Sequence, residues 1–450
     1  MERSYLIQRL IENPEILSSE RVPLPSDYEN VEKFFEILKE KKDLGEKVLV
    51  IAHEDIDGIS SLYGMEILLK KFNLDFKTYL PSKENESYGI SYSVIDKIRK
   101  ENFDFLITVD CGLSNKKEIK LLRELGYDVF IIDHHSEGNF EEENLIHPFK
   151  GRGFPFLSTG TLVFLILYKE FGENLWKNKK FYDFTYLSGL SVFSDKVPLC
   201  GLNEFVLNKA QVLFSETEIY RVFNEVNMKP PLFKEISKIV SMVSADNGSH
   251  LILEFLREEN NKERKKIMKE LISRYIEEQG KFEEALLISK NSNYTENNIT
   301  YIISKSISSK FAGWIASRFL KDRGFPAICI TKKGKEWAGE ARSKPPLSVL
   351  KILKEVSYLF EEFGGHPFAC GFSIKEENIH PLIENLKRLS VDLNNFIPEP
   401  DLIMEEKEFS KKRNFLEKIA EKGISFYVKS DEKIYYSTKT GLLPLTVRSA

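Results

Sequence analysis

Four short apolar runs recur along the first third of the chain: VLVIA (48–52), FKTYL (76–80), FDFLITV (103–109) and DVFII (128–132). Each is too short for a buried helix and rich in β-branched or aromatic residues, so each reads as a strand. Helical patterns near 59–72, 91–101 and 115–125 separate them. Strands alternating with helices predict a parallel sheet with crossover helices on its faces. That pattern constrains function as well as fold, because an open parallel sheet takes ligands beyond the carboxyl ends of its strands.

Three of those strand ends carry unusual chemistry. The first runs into His53, Asp55 and Asp57, closed by Gly58; the third into Asp110 in VDCG; the fourth into Asp133, His134 and His135. Alternate residues of an extended segment point the same way. His53, Asp55 and Asp57 can therefore converge just past their strand. Carboxylates and imidazoles gathered at one point repel, or stay poorly solvated, unless a cation sits between them. Oxygen and imidazole donors suit manganese, magnesium or zinc. A helix N-cap accounts for Asp57 equally well, and that stretch by itself leaves both readings open. Three polar ends in register on one sheet are harder to explain by capping.

At 450 residues the chain has room for two or three domains. Its 42% hydrophobic and 30% charged residues are those of an ordinary globular protein. A net charge of -4 excludes a wholly basic nucleic-acid binder and leaves room for a local basic groove. Cys111, Cys200, Cys329 and Cys370 form no CxxC pair, which predicts free thiols in a reducing compartment. The start, MERSYLIQRLIENPE, lacks the apolar stretch of a signal peptide, and the longest apolar run, Leu162 to Leu167, is too short to span a bilayer. The expectation is a cytoplasmic protein without a membrane partner.

Residues 1–40 read as a peripheral helical segment. GFPFLSTGTLVFLILYKEF (153–171) predicts a loop and a buried helix, and YLSGLSVFSDKVPL (186–199) ends a helix-like face at Asp195. Alone, Asp195 is a helix-terminal acid; in this company it is a further ligand candidate. Residues 201–280 look mostly helical, with KERKK (262–266) a solvated face. A second α/β unit starts near Phe282, with ALLISK, ITYIISKS and FPAICITKK as strands and FAGWIASRFLKDRG as a helix. It ends in FGGHPFACGFSI (363–374), where paired glycines permit close backbone approach and can cradle an anion. His366 there suits a phosphate, or a tight turn with a core histidine. Pro398 and Pro400 mark a boundary before a charged, partly β tail. Neither GxSxG nor a P-loop occurs, so a serine-hydrolase or ATPase reading has no support. Together His53, Asp55, Asp57, Asp110, His134 and Asp195 suffice for two metal ions sharing one carboxylate.

HEDIDG, VDCG, DHH, SDKVPL and GGHPFACGFSI, in this order, resemble the DHH phosphoesterase superfamily, and most nearly its RecJ-type single-strand exonuclease branch. PSKENESYGIS (81–91), TVDCGLSN and FAGWIASRF are similar to further signature stretches, and the likeness covers roughly residues 47–390. The resemblance implies an α/β fold: a parallel-sheet DHH domain (41–225), a helical connector (226–280) and a smaller α/β DHH-associated domain (281–397). The N-terminal segment (1–40) and a C-terminal extension (398–450) flank them, and the active site is expected in the interdomain cleft. It implies two divalent ions, manganese with magnesium as the alternative. His53, Asp55 and Asp110 would hold one; Asp57, Asp110, His134 and Asp195 the other. Asp133 and His135 would orient ligands or face substrate, so that Asp110, His134, His135 and His366 carry catalysis. Arg318, Arg342, Ser343, Gly364, Gly365 and His366 would grip the strand.

The activity so implied is hydrolysis of single-stranded DNA or RNA to nucleotide 5′-monophosphates from the 5′ end, with replication or repair proteins as partners. Alternatives are a nano-RNase-like short-oligonucleotide or nucleotide phosphatase, and a non-catalytic RecJ-like replication scaffold. The chain departs from the branch in two places. VSADNGSH (243–250) stands where an arginine- and glycine-rich segment is usual, and NEF (203–205) replaces an asparagine–arginine pair. No counterpart of an oligonucleotide-binding domain is evident, which favours short or partner-presented strands.

Overall fold

A computed structural model describes residues 3–82, 89–135, 138–333, 336–344, 347–389, 401–424, 426–430, 433–438 and 441–444. Most of PSKENESYGIS lies outside them. The chain divides into two compact units, residues 1–276 with 422–424, and residues 277–421 with 425–450.

The first unit opens with α1 (Arg3–Glu12) and α2 (Val31–Leu44). Then β1 (Lys47–Ala52), α3 (Ile56–Lys71), β2 (Asp75–Tyr79), α4 (Tyr92–Ile98), β3 (Phe105–Val109), α5 (Lys116–Glu124), β4 (Asp128–Ile132) and β5 (Leu145–Ile146) alternate. The strands form one parallel sheet in the order β2-β1-β3-β4-β5. Strands β1, β3 and β4 are buried nearly throughout, as unbroken apolar runs require when both faces are covered. On one face Leu49, Ile51, Leu106 and Ile131 pack with Val94 and Ile95 of α4 and Ile119 and Leu122 of α5. On the other, Phe34 of α2 meets Phe130 of β4 with ring centroids 4.7 Å apart. Register decides where the chemistry falls. Ala52 pairs with Val109, and Val109 with Ile132. The three strands therefore end level, and His53, Asp110 and Asp133 each stand one residue beyond.

Helices complete the unit: α6 (Thr159–Phe171), α7 (Asn174–Lys177), α8 (Tyr182–Ser194), α9 (Gly201–Leu213), α10 (Glu218–Asn227), α11 (Glu235–Met242) and α12 (Leu251–Arg257). α3, α6 and α8 pack on one another, and α9 on α8. The helix α13 (Asn261–Asn291) then carries the chain into the second unit.

α13 corrects one expectation. ALLISK, read as a strand, is its last part. The segment from 261 to 291 is dense in helix formers and has no proline. Ala285 and Ser289 are buried four residues apart, which is a helical spacing rather than a strand's.

The second unit holds a six-stranded sheet in the order β10-β11-β9-β8-β7-β6. Its elements are β6 (Asn293–Glu296), β7 (Ile299–Ser304), α14 (Ala312–Arg323), β8 (Ala327–Lys333), β9 (Glu336–Arg342), α15 (Val349–Lys354), β10 (Phe360–His366), β11 (Ala369–Ile374) and α16 (Glu376–Leu389). Only β7 and β8, joined through α14, run parallel. α15 and α16 cover one face over Tyr301, Ile328, Trp337 and Phe372. α14 and the end of α13 cover the other. FGGHPFACGFSI is the β10–β11 hairpin. In the tail, β12 (Leu402–Met404), α17 (Glu406–Glu421), β13 (Tyr427–Ser430), β14 (Lys433–Thr438) and β15 (Gly441–Pro444) give a four-stranded sheet with a helix on it. Among the described residues no helix is long and apolar enough to cross a membrane.

Candidate metal centre

The turn after β1 resolves the capping question. Asp55, not Asp57, is the N-cap of α3; its Oδ1 accepts from the Gly58 N–H at 2.9 Å. Its Oδ2 lies 3.1 Å from His53 Nδ1, which is 3.5 Å from Asp110 Oδ2. Only glycine fits at position 58, because a Cβ would stand 2.1 Å from the His53 carbonyl oxygen. Gly58→Ala is therefore expected to displace the His53 turn, weaken any divalent-metal binding there and lower the melting temperature, which calorimetric metal titration and a thermal melt will measure together.

Asp57 is fully buried and turned toward α6, whose first two N–H groups, of Thr159 and Gly160, donate to Oδ2 at 2.8 Å and Oδ1 at 2.6 Å. These are donors that a helix start leaves without partners of its own. Asp110 continues the pairing of β3 with β4, its N–H donating to Ile132 O at 2.9 Å. Its φ of +58° is a left-handed conformation that costs a non-glycine residue free energy. Asp195 ends α8.

His134 joins these groups. Its Nδ1 is 3.1 Å from Leu157 O, so the proton sits there and donates to the carbonyl. Nε2 then faces three carboxylates, at 2.9 Å from Asp195 Oδ2, 3.5 Å from Asp110 Oδ1 and 3.7 Å from Asp57 Oδ2. That nitrogen is buried without an aligned hydrogen bond. A neutral ring would aim a lone pair at three anions, which only a cation between them makes favourable.

The titration behaviour agrees. Burial, then the Asp195 carboxylate, pushes Asp57 up to about 7. Burial, then Asp57 and Asp55, holds Asp110 well above the usual carboxylate range. Burial would lower His134, but Asp195 overrides it and raises the ring to about 10. Each of these groups is thus pushed toward its protonated form by burial or by the carboxylates around it. Three sets have donor atoms within 4.8 Å of one another: His53, Asp55 and Asp110; Asp57, Asp110, His134 and Asp195; and Asp110, His134 and His135. The carboxylate and imidazole donors fit a pair of hard divalent ions, with Asp110 common to every set.

Around the donors sit residues that the sequence alone did not single out. Asp133, which it did, accepts from the N–H groups of His134 and His135 at 2.7 and 3.1 Å, and from Leu113 N–H at 3.1 Å. Burial would raise its pKa, but the charge of His135, 2.6 Å away at Nδ1, holds it below the usual range. His147, just past β5, accepts from Phe149 N–H at Nδ1 and donates from Nε2 to His135 O, both at 3.0 Å. Burial lowers it to about 3, which keeps it neutral. It is another histidine at a strand end, so the pattern that marked the others was there to be read. Glu54 had no such signal; its Oε1 accepts from Ala245 N–H at 2.5 Å and ties the His53 turn to VSADNGSH.

The remaining candidates belong to the second unit. Gly364 and Gly365 pair with Gly371 and Cys370 across the β10–β11 hairpin, and Gly365 has φ +138°. The His366 backbone pairs with Ala369; its side chain lies outside the described part. Arg318 Nε is 2.9 Å from Asp322, and Arg342 Nη1 2.7 Å from Glu340. Ser343 Oγ donates to Leu347 O at 2.9 Å and accepts from Val349 N–H at 3.1 Å.

Comparison with known proteins identifies the domains that carry these residues. The family description "DHH family, N-terminal domain" matches residues 47–188, and "DHHA1 domain" matches residues 296–392. The single-stranded-DNA-specific exonuclease RecJ of Bacillus subtilis is 25% identical over 411 residues, covering 84% of this chain and 50% of that protein. RecJ of Thermus thermophilus is 24% identical over 348 residues, covering 76% of this chain and 51% of that protein. The chain spans about half the length of these curated relatives. An exonuclease RecJ crystal structure bound to manganese shares the fold with a TM-score of 0.64 and 21% identity, over 82% of this chain and 95% of that one. RecJ of Thermus thermophilus in complex with Mn2+ does so with a TM-score of 0.69 and 18% identity, over 99% of this chain and 70% of that one. With both domains present in order and RecJ proteins as relatives in sequence and fold, the chain belongs to the DHH superfamily, in its RecJ-like branch.

Proposed function

We propose that this protein is a metal-dependent phosphodiesterase that removes nucleotide 5′-monophosphates from the 5′ end of single-stranded DNA or RNA. The observation that carries the reading is the His134 imidazole, its Nδ1–H fixed by Leu157 and its Nε2 turned to Asp57, Asp110 and Asp195. His53, Asp55 and Asp110 would hold one manganese, and Asp57, Asp110, His134 and Asp195 the other. Such a pair supplies a hydroxide near neutral pH and neutralises charge building on the phosphoryl oxygens. The chain's own work is placement. Asp110 presents one oxygen to each half of the centre. Asp133 fixes His135, which we assign to a phosphoryl oxygen of the substrate. His366, with Gly364 and Gly365, is assigned to the scissile phosphate, and Arg318, Arg342 and Ser343 to the strand. Four buried free cysteines accord with action in the cytoplasm.

The test is hydrolysis of end-labelled single strands with manganese. Short and long DNA and RNA, each with 5′-phosphate or 5′-hydroxyl, are compared beside Asp110→Ala. Stepwise release of mononucleotides from the 5′ end, lost in the variant, is expected. Release confined to dinucleotides would replace this reading by the short-oligonucleotide phosphatase. No metal-dependent release from any strand would overturn it in favour of the scaffold.

A further inference from the structure

Thr159 is the first residue of α6, fully buried, and it touches two of the clustered carboxylates at once. Its N–H donates to Asp57 Oδ2 at 2.8 Å, and its hydroxyl donates to Asp110 Oδ1 at 3.1 Å. The neighbouring donors are committed elsewhere: Gly160 N–H to Asp57 Oδ1 at 2.6 Å, and Thr161 N–H to Ser158 Oγ at 3.2 Å. The backbone of α6 can therefore hold Asp57 whatever side chain stands at 159. The hold on Asp110 depends on the hydroxyl.

The two oxygens of Asp110 face different partners. Oδ1 lies 3.5 Å from His134 Nε2, and Oδ2 lies 3.5 Å from His53 Nδ1. A carboxylate turns readily about its last torsion, which is broad and two-fold. Rotation by a quarter turn would take both oxygens away from both imidazoles. A donor fixed on Oδ1 opposes that rotation, and Thr159 is held rigidly to give it, by the helix start and by its own β-branching.

We infer that Thr159 is a positioning residue that sets the rotation of the shared Asp110 carboxylate, so that one oxygen serves each half of the metal pair. This rests on the metal-pair reading above. It assigns to position 159 a requirement for a hydroxyl, met by threonine or serine and not by the isosteric valine. Groups that orient metal ligands in this way typically change affinity by 10- to 100-fold when removed.

The experiment is calorimetric titration of the metal-stripped full chain with MnCl2 alone, for wild type, Thr159→Val, Thr159→Ala, Thr159→Ser and Asp110→Ala. Circular dichroism and thermal melts establish that each is folded. Thr159→Val and Thr159→Ala are expected to weaken manganese binding by about 10- to 100-fold, and to raise the manganese needed for half-maximal hydrolysis by the same factor. At saturating manganese, KM for a labelled strand stays at the wild-type value. Thr159→Ser restores both metal readouts.

Two ions bound by Thr159→Val with wild-type affinity would overturn the inference. So would a Thr159→Ser defect as large as that of valine, since packing rather than the hydroxyl would then be responsible. Asp110→Ala separates this failure from that of the underlying reading. A wild type that binds no manganese, or binds it as Asp110→Ala does, removes the metal pair itself.

Discussion

Asp110→Asn is expected to lower manganese-dependent hydrolysis by roughly two to three orders of magnitude, the scale on which a single electrostatic stabiliser is felt. The same substitution should make the metal-free protein more stable. In the metal-free centre four carboxylates and three imidazoles lie close together, and Asp110 is common to every set. Its pKa is raised in the folded state by burial and by Asp57 and Asp55. A carboxyl raised on folding contributes stability that is whole below its unfolded value, near 3.8, and is lost as pH rises through the folded value. Asp57, raised to about 7, acts in the same direction. His134, raised to about 10, also loses its contribution with rising pH, between its unfolded value and 10.

All three signs agree, so the melting temperature in a chelator should fall from pH 5 to pH 9, and fall less in Asp110→Asn. Saturating manganese should reverse the ranking. An ion present at 100 times its dissociation constant stabilises by about 2.7 kcal/mol. For a unit of this size that is on the order of 5–10 °C. Differential scanning of both proteins across this pH range, with and without manganese, reads every term. A wild type that melts above the variant in chelator at pH 8 would show that Asp110 is not strained by its neighbours.

Arg257→Ala should cause a large loss of stability from a position away from the centre. Glu66 of α3 is 2% exposed, and Arg257 of α12 is its principal partner. Arg257 Nε lies 3.0 and 3.2 Å from the two Glu66 oxygens, and Nη2 also donates to Glu66. The remaining guanidinium donors reach Ser249 Oγ at 3.1 Å and Thr78 Oγ1 at 2.8 Å. One side chain thus ties α12, α3, β2 and VSADNGSH together.

Truncating it strands a buried carboxylate, which costs about 3–5 kcal/mol, or on the order of 10 °C. Replacing both partners by apolar groups of similar volume need not cost this, since the pair's attraction is largely offset by its desolvation. Arg257→Met with Glu66→Leu is therefore expected to melt well above Arg257→Ala. Equal melting temperatures would mean that the loss came from packing or from the Ser249 and Thr78 contacts.

The clustering of acids and histidines was legible in the chain because it follows a simple rule. Apolar runs bounded by glycine and acids specify strands, and parallel strands in level register put the next residue of each at one edge. That rule puts His53, Asp110 and Asp133 side by side at one sheet edge, with His134 next to them. Asp195, by itself a helix-terminal acid, gained weight only in their company. ALLISK is ambiguous because its five apolar and small residues before Lys290 fit both periods. The tie was broken by the unbroken helix before it.

What tertiary structure alone decided is which group answers each polar atom. Asp57 is bound by α6 102 residues away, and Glu66 by an arginine 191 residues away. The same is true of Thr159 on Asp110, His147 on the His135 carbonyl and Glu54 on Ala245. Apolar burial repeats with the period of the helix or strand and so leaves a trace in the sequence. A hydrogen bond between distant segments has no period. Its partner is chosen by the geometry that packing creates and by the cost of leaving a buried polar group unpaired.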